Sequence, residues 1–288
     1  MTEMTCPGLP ADWLNGWLAA LGAIARVPEL LLRWSDDPVP LAVLVAPSGD
    51  DPAHLLAEAW PTEDEIATLP IARHLPGQPE LNLNPDVATW ATRASLARID
   101  PQGWTLSSLY TDLKWDRGIR THSVGRGHLH TGAPTGRTMH QRLQDVVSLT
   151  SLDMVAPALH GAGTRVEANG LGFDLTRLPS SGDNVKKKWV DPVTEVLAFF
   201  GLSSLPTRGD PDSSRVRQRL HDPPRQPFCW ISWHPALDKC GVDALLDISS
   251  DRVVRRTVVT GVWETVEYPV ENSMDPTRGY GSRRVAGP

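Results

Sequence analysis

The stretch Asp12 to Asp37, DWLNGWLAALGAIARVPELLLRWSDD, carries the clearest structural signal in the chain. Trp13, Leu14, Trp17, Leu18, Leu21 and Ile24 recur at three- and four-residue spacing, which predicts a helix with one apolar face. Asp12 is placed to cap it. Ala20, Gly22 and Ala23 leave room for another backbone to approach. Pro28 ends the helix, because the residue before a proline avoids the helical region. Leu30–Trp34 reads as a short strand, Ser35–Pro38 as a turn and Val39–Ala46 as a second strand. This opening unit is a scaffold, and none of its residues carries chemistry.

Working outward, Pro52–Trp60 reads as a short amphipathic helix. Thr62-Glu63-Asp64-Glu65 is a capping box, with Thr62 as the cap and Glu65 reaching back to it. Its acids suit a helix N-terminus and read as structural rather than catalytic. Val87–Ile99 is expected to be helical, and so is Met139–Leu152, capped by Thr138 with Met139, Leu143, Val146 and Leu149 inward. Further along, Asp191 caps a helix whose first residue is Pro192. The runs Trp17-Leu-Ala-Ala-Leu-Gly22 and Val196-Leu-Ala-Phe-Phe-Gly201 share Leu-Ala-x-x-Gly, as a weak internal duplication would. Phe228–Trp233 reads as a buried strand and Pro235–Ile248 as a helix. Arg252–Thr260 with Val262–Val270 reads as a hairpin.

These elements make the fold class α+β, with short mixed or antiparallel sheets packed with about six to eight helices. By composition the chain divides at 1–207, an α+β body with an acidic N-terminal third; 208–227, a basic Pro-rich linker or loop; and 228–288, a strand–helix–hairpin unit packed on the body. The three can equally form one continuous domain.

The 288 residues carry a formal net charge of −6, which argues against a general nucleic-acid glue. The charge is uneven. Residues 1–100 hold 14 acidic and 5 basic side chains, and the remainder hold 20 and 23. Three cysteines without a Cys-x-x-Cys pair suit a reducing, cytoplasmic setting. MTEMTCPGLP has no basic segment followed by an apolar run, so no signal peptide is expected. No apolar run reaches the ~18 residues of a spanning helix, so no membrane partner is expected.

The strongest functional signal is Arg117 to Arg142, RGIRTHSVGRGHLHTGAPTGRTMHQR, which contains no Asp or Glu. It supplies Arg117, Arg120, Arg126, Arg137 and Arg142, with His128 and His130 among them. Glycines let backbone N–H groups approach an anion, arginine forks match phosphate oxygens, and hydroxyls such as Thr138 add neutral donors. Arg137 and Thr138 sit where a helix start would welcome a phosphate. The reading is contact with a nucleic-acid backbone, against an exposed loop without a partner. His128-x-His130 is a weak metal motif because no carboxylate or thiolate accompanies it. The segment is not a Walker A loop, since arginine stands where the phosphate lysine belongs. Lys186-Lys187-Lys188-Trp189 is a second cationic patch, with an adjacent aromatic. Arg215, Arg217 and Arg219 alternate as on one face of a strand and form a third. No nucleophile elbow, zinc motif or paired acid and base appears, so neither an enzyme nor a cofactor is expected.

Trp13-Leu-Asn-Gly-Trp-Leu-Ala-Ala-Leu-Gly22 followed by Leu-Arg-Trp34 resembles the opening of accessory and large-subunit proteins of type I-G (formerly I-U) CRISPR systems. Gly172-Phe-Asp174, Pro192–Leu202 and Trp233-x-x-x-Leu237 are similar in order and character. The resemblance comes in short blocks covering about half the chain. It rests on scaffold motifs and transfers no catalytic residue. It implies a non-enzymatic, cytoplasmic subunit of a guide-RNA-directed antiviral effector complex. Its partners would be guide RNA or target DNA and the other effector-complex proteins, and base pairing rather than the protein would read sequence. The alternatives are an enzyme acting on an anionic, phosphate-bearing substrate through His128, His130 and Arg137, or a purely structural partner protein.

Overall fold

The computed structural model describes residues 1–69, 139–168, 170–171, 189–205, 207–208, 215–216, 229–249, 251–268 and 279–285. In chain order the elements are β1 (Thr2–Pro10), α1 (Leu14–Arg26), β2 (Leu31–Trp34), β3 (Leu41–Ala46), α2 (Pro52–Glu58), α3 (Glu63–Thr68), α4 (Met139–Val147) and α5 (Val155–Leu159). After them come β4 (Val166–Glu167), β5 (Trp189–Val190), α6 (Pro192–Gly201), β6 (Thr207–Arg208), β7 (Arg215–Val216) and β8 (Cys229–Trp233). The last elements are α7 (Lys239–Ile248), α8 (Arg252–Thr257), β9 (Val259–Tyr268) and β10 (Gly279–Arg284). The fold is α+β, and every strand pairing among the described residues is antiparallel.

Helix α1 forms as its periodicity dictates and ends at Arg26, where Val27 N–H still donates to Ala23 O at 3.0 Å before Pro28. It is buried nearly all round, from Leu14 to Ile24. Asp12 is not its cap. The helix starts from Trp13 with no side-chain cap, and the Asp12 carbonyl instead accepts from the Ser282 hydroxyl. The N-terminal ten residues, which carry no helical or clean alternating pattern, form strand β1 on the edge of a three-stranded sheet ordered β1-β3-β2. Met4 and Cys6 point into the core, while Glu3 and Thr5 face outward. Register sets Glu3 opposite Val45, and Val43 opposite both Thr5 and Arg33. The 2.7 Å Arg33–Glu3 ion pair therefore passes over the central strand, beside the buried valines.

Against this sheet and α1 packs a second half of similar plan. Helix α6 is capped as expected: the Asp191 carboxylate accepts from Val193 N–H at 3.0 Å and Thr194 N–H at 3.2 Å, with Pro192 following. The second three-stranded sheet has the order β10-β9-β8. In each half the helix precedes an edge strand (β2 or β8) and then the central strand (β3 or β9), with β6 and β7 inserted before β8 and α7 and α8 before β9 in the second half. The third strand comes from the N-terminus in one half and the C-terminus in the other. Both edge strands end in tryptophan, and the rings of Trp34 and Trp233 meet edge to face, 5.9 Å apart at 87°.

The duplicated Leu-Ala-x-x-Gly run is the crossing point of the halves. A methyl built on Gly22 would stand 1.8 Å from the carbonyl oxygen of Leu197, and one built on Gly201 would stand 2.0 Å from that of Leu18. The contact is reciprocal. Three indole N–H groups join the halves elsewhere. Trp17 donates to Ile231 O at 2.8 Å, Trp230 to Ala11 O at 2.6 Å and Trp233 to Leu32 O at 3.1 Å. Leu32 and Leu237 also exchange backbone hydrogen bonds of 2.8 and 3.0 Å. Residues from 229 onward thus share one apolar core with α1, β2 and β3.

Thr62 caps α3, accepting from Glu65 N–H at 3.1 Å, but Glu65 does not reach back. Its carboxylate pairs with Arg26 at the end of α1. Leu149 is 41% exposed, because α4 ends at Val147 and leaves it beyond the apolar face. The hairpin expected across Arg252–Val270 divides differently. Asp251 caps a helical turn, α8, accepting from Val253 and Val254 N–H groups, and the hairpin is β9–β10. The expected helix at Val87–Ile99 lies outside the described residues.

Candidate nucleic-acid interface

Arg117, Arg120, Arg126, His128, His130, Arg137 and Thr138 lie outside the described residues, as do Lys186, Lys187, Lys188, Arg217 and Arg219. Two residues of the expected cationic set are placed. Arg215 is in β7, in register opposite Arg208 of β6. Arg142 lies in α4 and is turned inward, with only 7% exposure. The reason is its helical position: Arg142, Leu143, Val146 and Val147 form the buried side of α4, so the register that buries the three apolar residues buries the arginine too. Arg142 belongs to the packing of α4 rather than to an exposed cationic face.

Trp189 is placed outward. Its β5 partner strand is β4, with Val166 opposite Val190 and Glu167 opposite Trp189. Two-residue alternation buries Val190 and presents Trp189, which is 55% exposed. Trp17, Trp34, Trp230, Trp233 and Trp263 are buried, and Trp13 and Trp60 are half-buried. Among the described tryptophans, the one presented to solvent is the one that directly follows Lys186-Lys187-Lys188. Exposed Arg165 precedes β4 and lies close enough to Asp191 to favour its charged form. Burial outweighs this and the cap hydrogen bonds, and raises the Asp191 pKa.

A set of arginines that the sequence reading did not single out lies at the C-terminal sheet. Arg252, Arg255 and Arg256 are on α8, at positions i, i+3 and i+4, which share one helix face. Reading this stretch as a strand hid that spacing, although Asp251 followed by Val-Val at second and third positions is a usable cap signal. Arg255 Nε donates to Ser249 O at 3.0 Å. Arg284 of β10 donates to Thr260 O at 3.0 Å, just past the end of α8, and lies over the Trp263 ring at 5.6 Å. Gly261 makes room for that ring, since a methyl there would stand 2.2 Å from the indole.

The buried polar groups are structural in geometry. Glu195 is fully buried on α6, where it accepts from Asn15 Nδ2 of α1 at 3.4 Å and from the backbone N–H of Leu171. Burial pushes the Cys6 thiol up to about 12. It also raises Cys229, helped by the nearby Glu264 charge and opposed by Arg255. Among the described residues no group of three or more His, Cys, Asp or Glu side chains is arranged to hold a metal ion. No helix among them is long and apolar enough to cross a membrane.

Comparison of the chain with protein-family models, curated proteins and solved structures finds no match.

Proposed function

We propose that this chain is a non-enzymatic subunit of a guide-RNA-directed, CRISPR-type effector complex, and that it contacts a nucleic-acid backbone. The observation that carries the reading is Trp189, exposed beside three consecutive lysines while the other described tryptophans are buried or half-buried. A cationic segment with an outward aromatic is the arrangement that holds single-stranded nucleic acid: lysines follow the phosphates and the ring stacks on a base. The acid-free segment 117–142, rich in arginine and glycine, adds the same chemistry at sequence level. The resemblance of the Leu-Ala-x-x-Gly helices and Trp-ended strands to type I-G proteins supplies the complex in which such contacts would serve.

Fluorescence anisotropy with labelled single- and double-stranded DNA and RNA across a salt series tests the reading, with the chain alone and in its complex. Binding should weaken steeply with salt, because each neutralised phosphate releases counterions. Replacing Arg120, Arg126 and Arg137 together by Ala should cost about 3 kcal/mol, similarly for all sequences, since backbone contacts position rather than specify. An unchanged affinity and salt slope in the complex would sink the proposal and favour the purely structural reading.

A further inference from the structure

The exposed face of α8 carries two arginines that form no ion pair with a described carboxylate. Arg252 and Arg256 are four residues apart, a spacing that puts Cβ atoms about 6 Å apart on one helix face. Both are exposed, and neither pairs with a carboxylate among the described residues. The acids nearby are engaged elsewhere. Asp251 accepts the two N–H groups of the α8 start. Glu264 pairs with Arg283 across β9 and β10. Like charges at i, i+4 repel, so this spacing opposes the helix that displays it. Arg26, Arg33 and Arg283, by contrast, each have a carboxylate partner.

One further feature points to a polyanion rather than to bulk solvent. Arg255 in the same turn is tied to Ser249 O, and Arg284 is held over Trp263 just past the helix end, so the neighbouring cations are held in place. We infer that the outer face of α8, with Arg252 and Arg256 as the contacts and Arg284 at its end, is a second docking surface for a nucleic-acid backbone. Guanidinium forks match phosphate oxygens, and successive phosphates along one strand provide the row of anions that two arginines one turn apart can engage. This inference rests on the nucleic-acid reading above and adds a surface separate in sequence from segment 117–142.

The test is anisotropy of the full chain on labelled single-stranded RNA, single-stranded DNA and duplex DNA, with wild type, R252A/R256A, R252K/R256K and the segment variant R120A/R126A/R137A. Circular dichroism and thermal melting establish that each variant is folded. Loss of two phosphate contacts should lower the slope of log affinity against log salt by about 1.4 on single strands or about 1.8 on duplex. The lysine pair should keep most of the slope but bind more weakly, since it lacks the bidentate fork. If wild type binds and R252A/R256A matches its affinity and slope, the α8 surface is disproved, while a drop in R120A/R126A/R137A still upholds the first reading. If wild type binds no nucleic acid, both fall. Competition by polyglutamate as strong as by a phosphodiester chain of equal charge would overturn the nucleic-acid assignment and point to an acidic protein partner.

Discussion

Gly22 and Leu197 lie 175 positions apart in the chain, yet the α-carbon of one rests against the carbonyl of the other, so a methyl on Gly22 would stand 1.8 Å from that oxygen. Gly201 repeats the arrangement against Leu18. Both obstacles are backbone, which cannot swing aside. Gly22→Ala and Gly201→Ala should each destabilise the fold by about 3 kcal/mol, although alanine is the better helix former by about 1 kcal/mol. Because both act on one helix crossing, the double variant should cost less than the two added. Urea unfolding followed by tryptophan fluorescence measures it. An alanine at either site that leaves the midpoint unchanged would show that the helices do not cross so closely.

Arg26 ties three elements together. It pairs with Glu65 of α3, donates to the Ala59 carbonyl after α2 through Nη2 at 2.7 Å, and lies 4.6 Å from the centre of the Phe200 ring of α6. Its side chain is only 12% exposed. Arg26→Ala should cost about 2 kcal/mol, since it leaves a partly buried carboxylate and a carbonyl without their donor. Glu65→Gln, which keeps an acceptor, should cost less. Chemical denaturation of both variants ranks them, and equal costs would argue against this picture.

Asp191 combines an N-cap with burial that raises its pKa. Asp191→Ala should lose about 1 kcal/mol of capping, while Asp191→Asn should retain most of the cap. The two differ in pH dependence. A carboxyl whose folded pKa is raised favours the folded state fully below its unfolded pKa, and that contribution is lost as pH rises through the folded value. Stability of the wild type relative to Asp191→Asn should therefore fall as pH rises from below 3.8 toward neutrality. Thermal melts of both proteins over that range give the sign directly, and a rise would refute it.

The three thiols should react in a fixed order. Cys240 is exposed, Cys229 is half-buried with its pKa raised, and Cys6 is fully buried with its pKa pushed up to about 12. The thiolate is the nucleophile, so burial and a raised pKa slow alkylation together. Iodoacetamide labelling followed by peptide mass spectrometry should mark Cys240 first, Cys229 more slowly and Cys6 only after unfolding. Early labelling of Cys6 would contradict the placement of β1 in the core.

Trp189→Ala should leave stability within about 0.5 kcal/mol of wild type, because the exposed ring contributes little packing. On the nucleic-acid reading it should weaken single-strand binding by about 1–3 kcal/mol, the worth of one stacked base. Tryptophan-quenching and anisotropy titrations check both halves. A stability loss without a binding loss would make Trp189 a scaffold residue.

The chain alone determined the elements whose cause is local. Pro28 ends α1, Asp191-Pro192 starts α6, Thr62 caps α3, and the apolar runs Leu31–Trp34 and Leu41–Ala46 are strands. Each follows from backbone sterics or from a hydrogen bond spanning a few residues. The Leu-Ala-x-x-Gly echo was legible as a repeat, but not as the place where the two runs cross. Glu65 could satisfy its cap or Arg26, and only the arrival of α1 beside α3 selected the arginine. Arg142 reads from sequence as one more cation, and the packed face of α4 turned it inward. Strand β1 has no clean pattern of its own and exists because β3 offers it an edge. The indole bonds from Trp17 to Ile231 and from Trp230 to Ala11 span 214 and 219 residues. Contacts at such separations depend on where whole helices and sheets come to rest, so tertiary packing decided them. The outward turn of Trp189 and the charged face of α8 are of this second kind: residue identity supplied the chemistry, and burial of Val190 and packing of Val254 against the core decided which side of each element faces solvent.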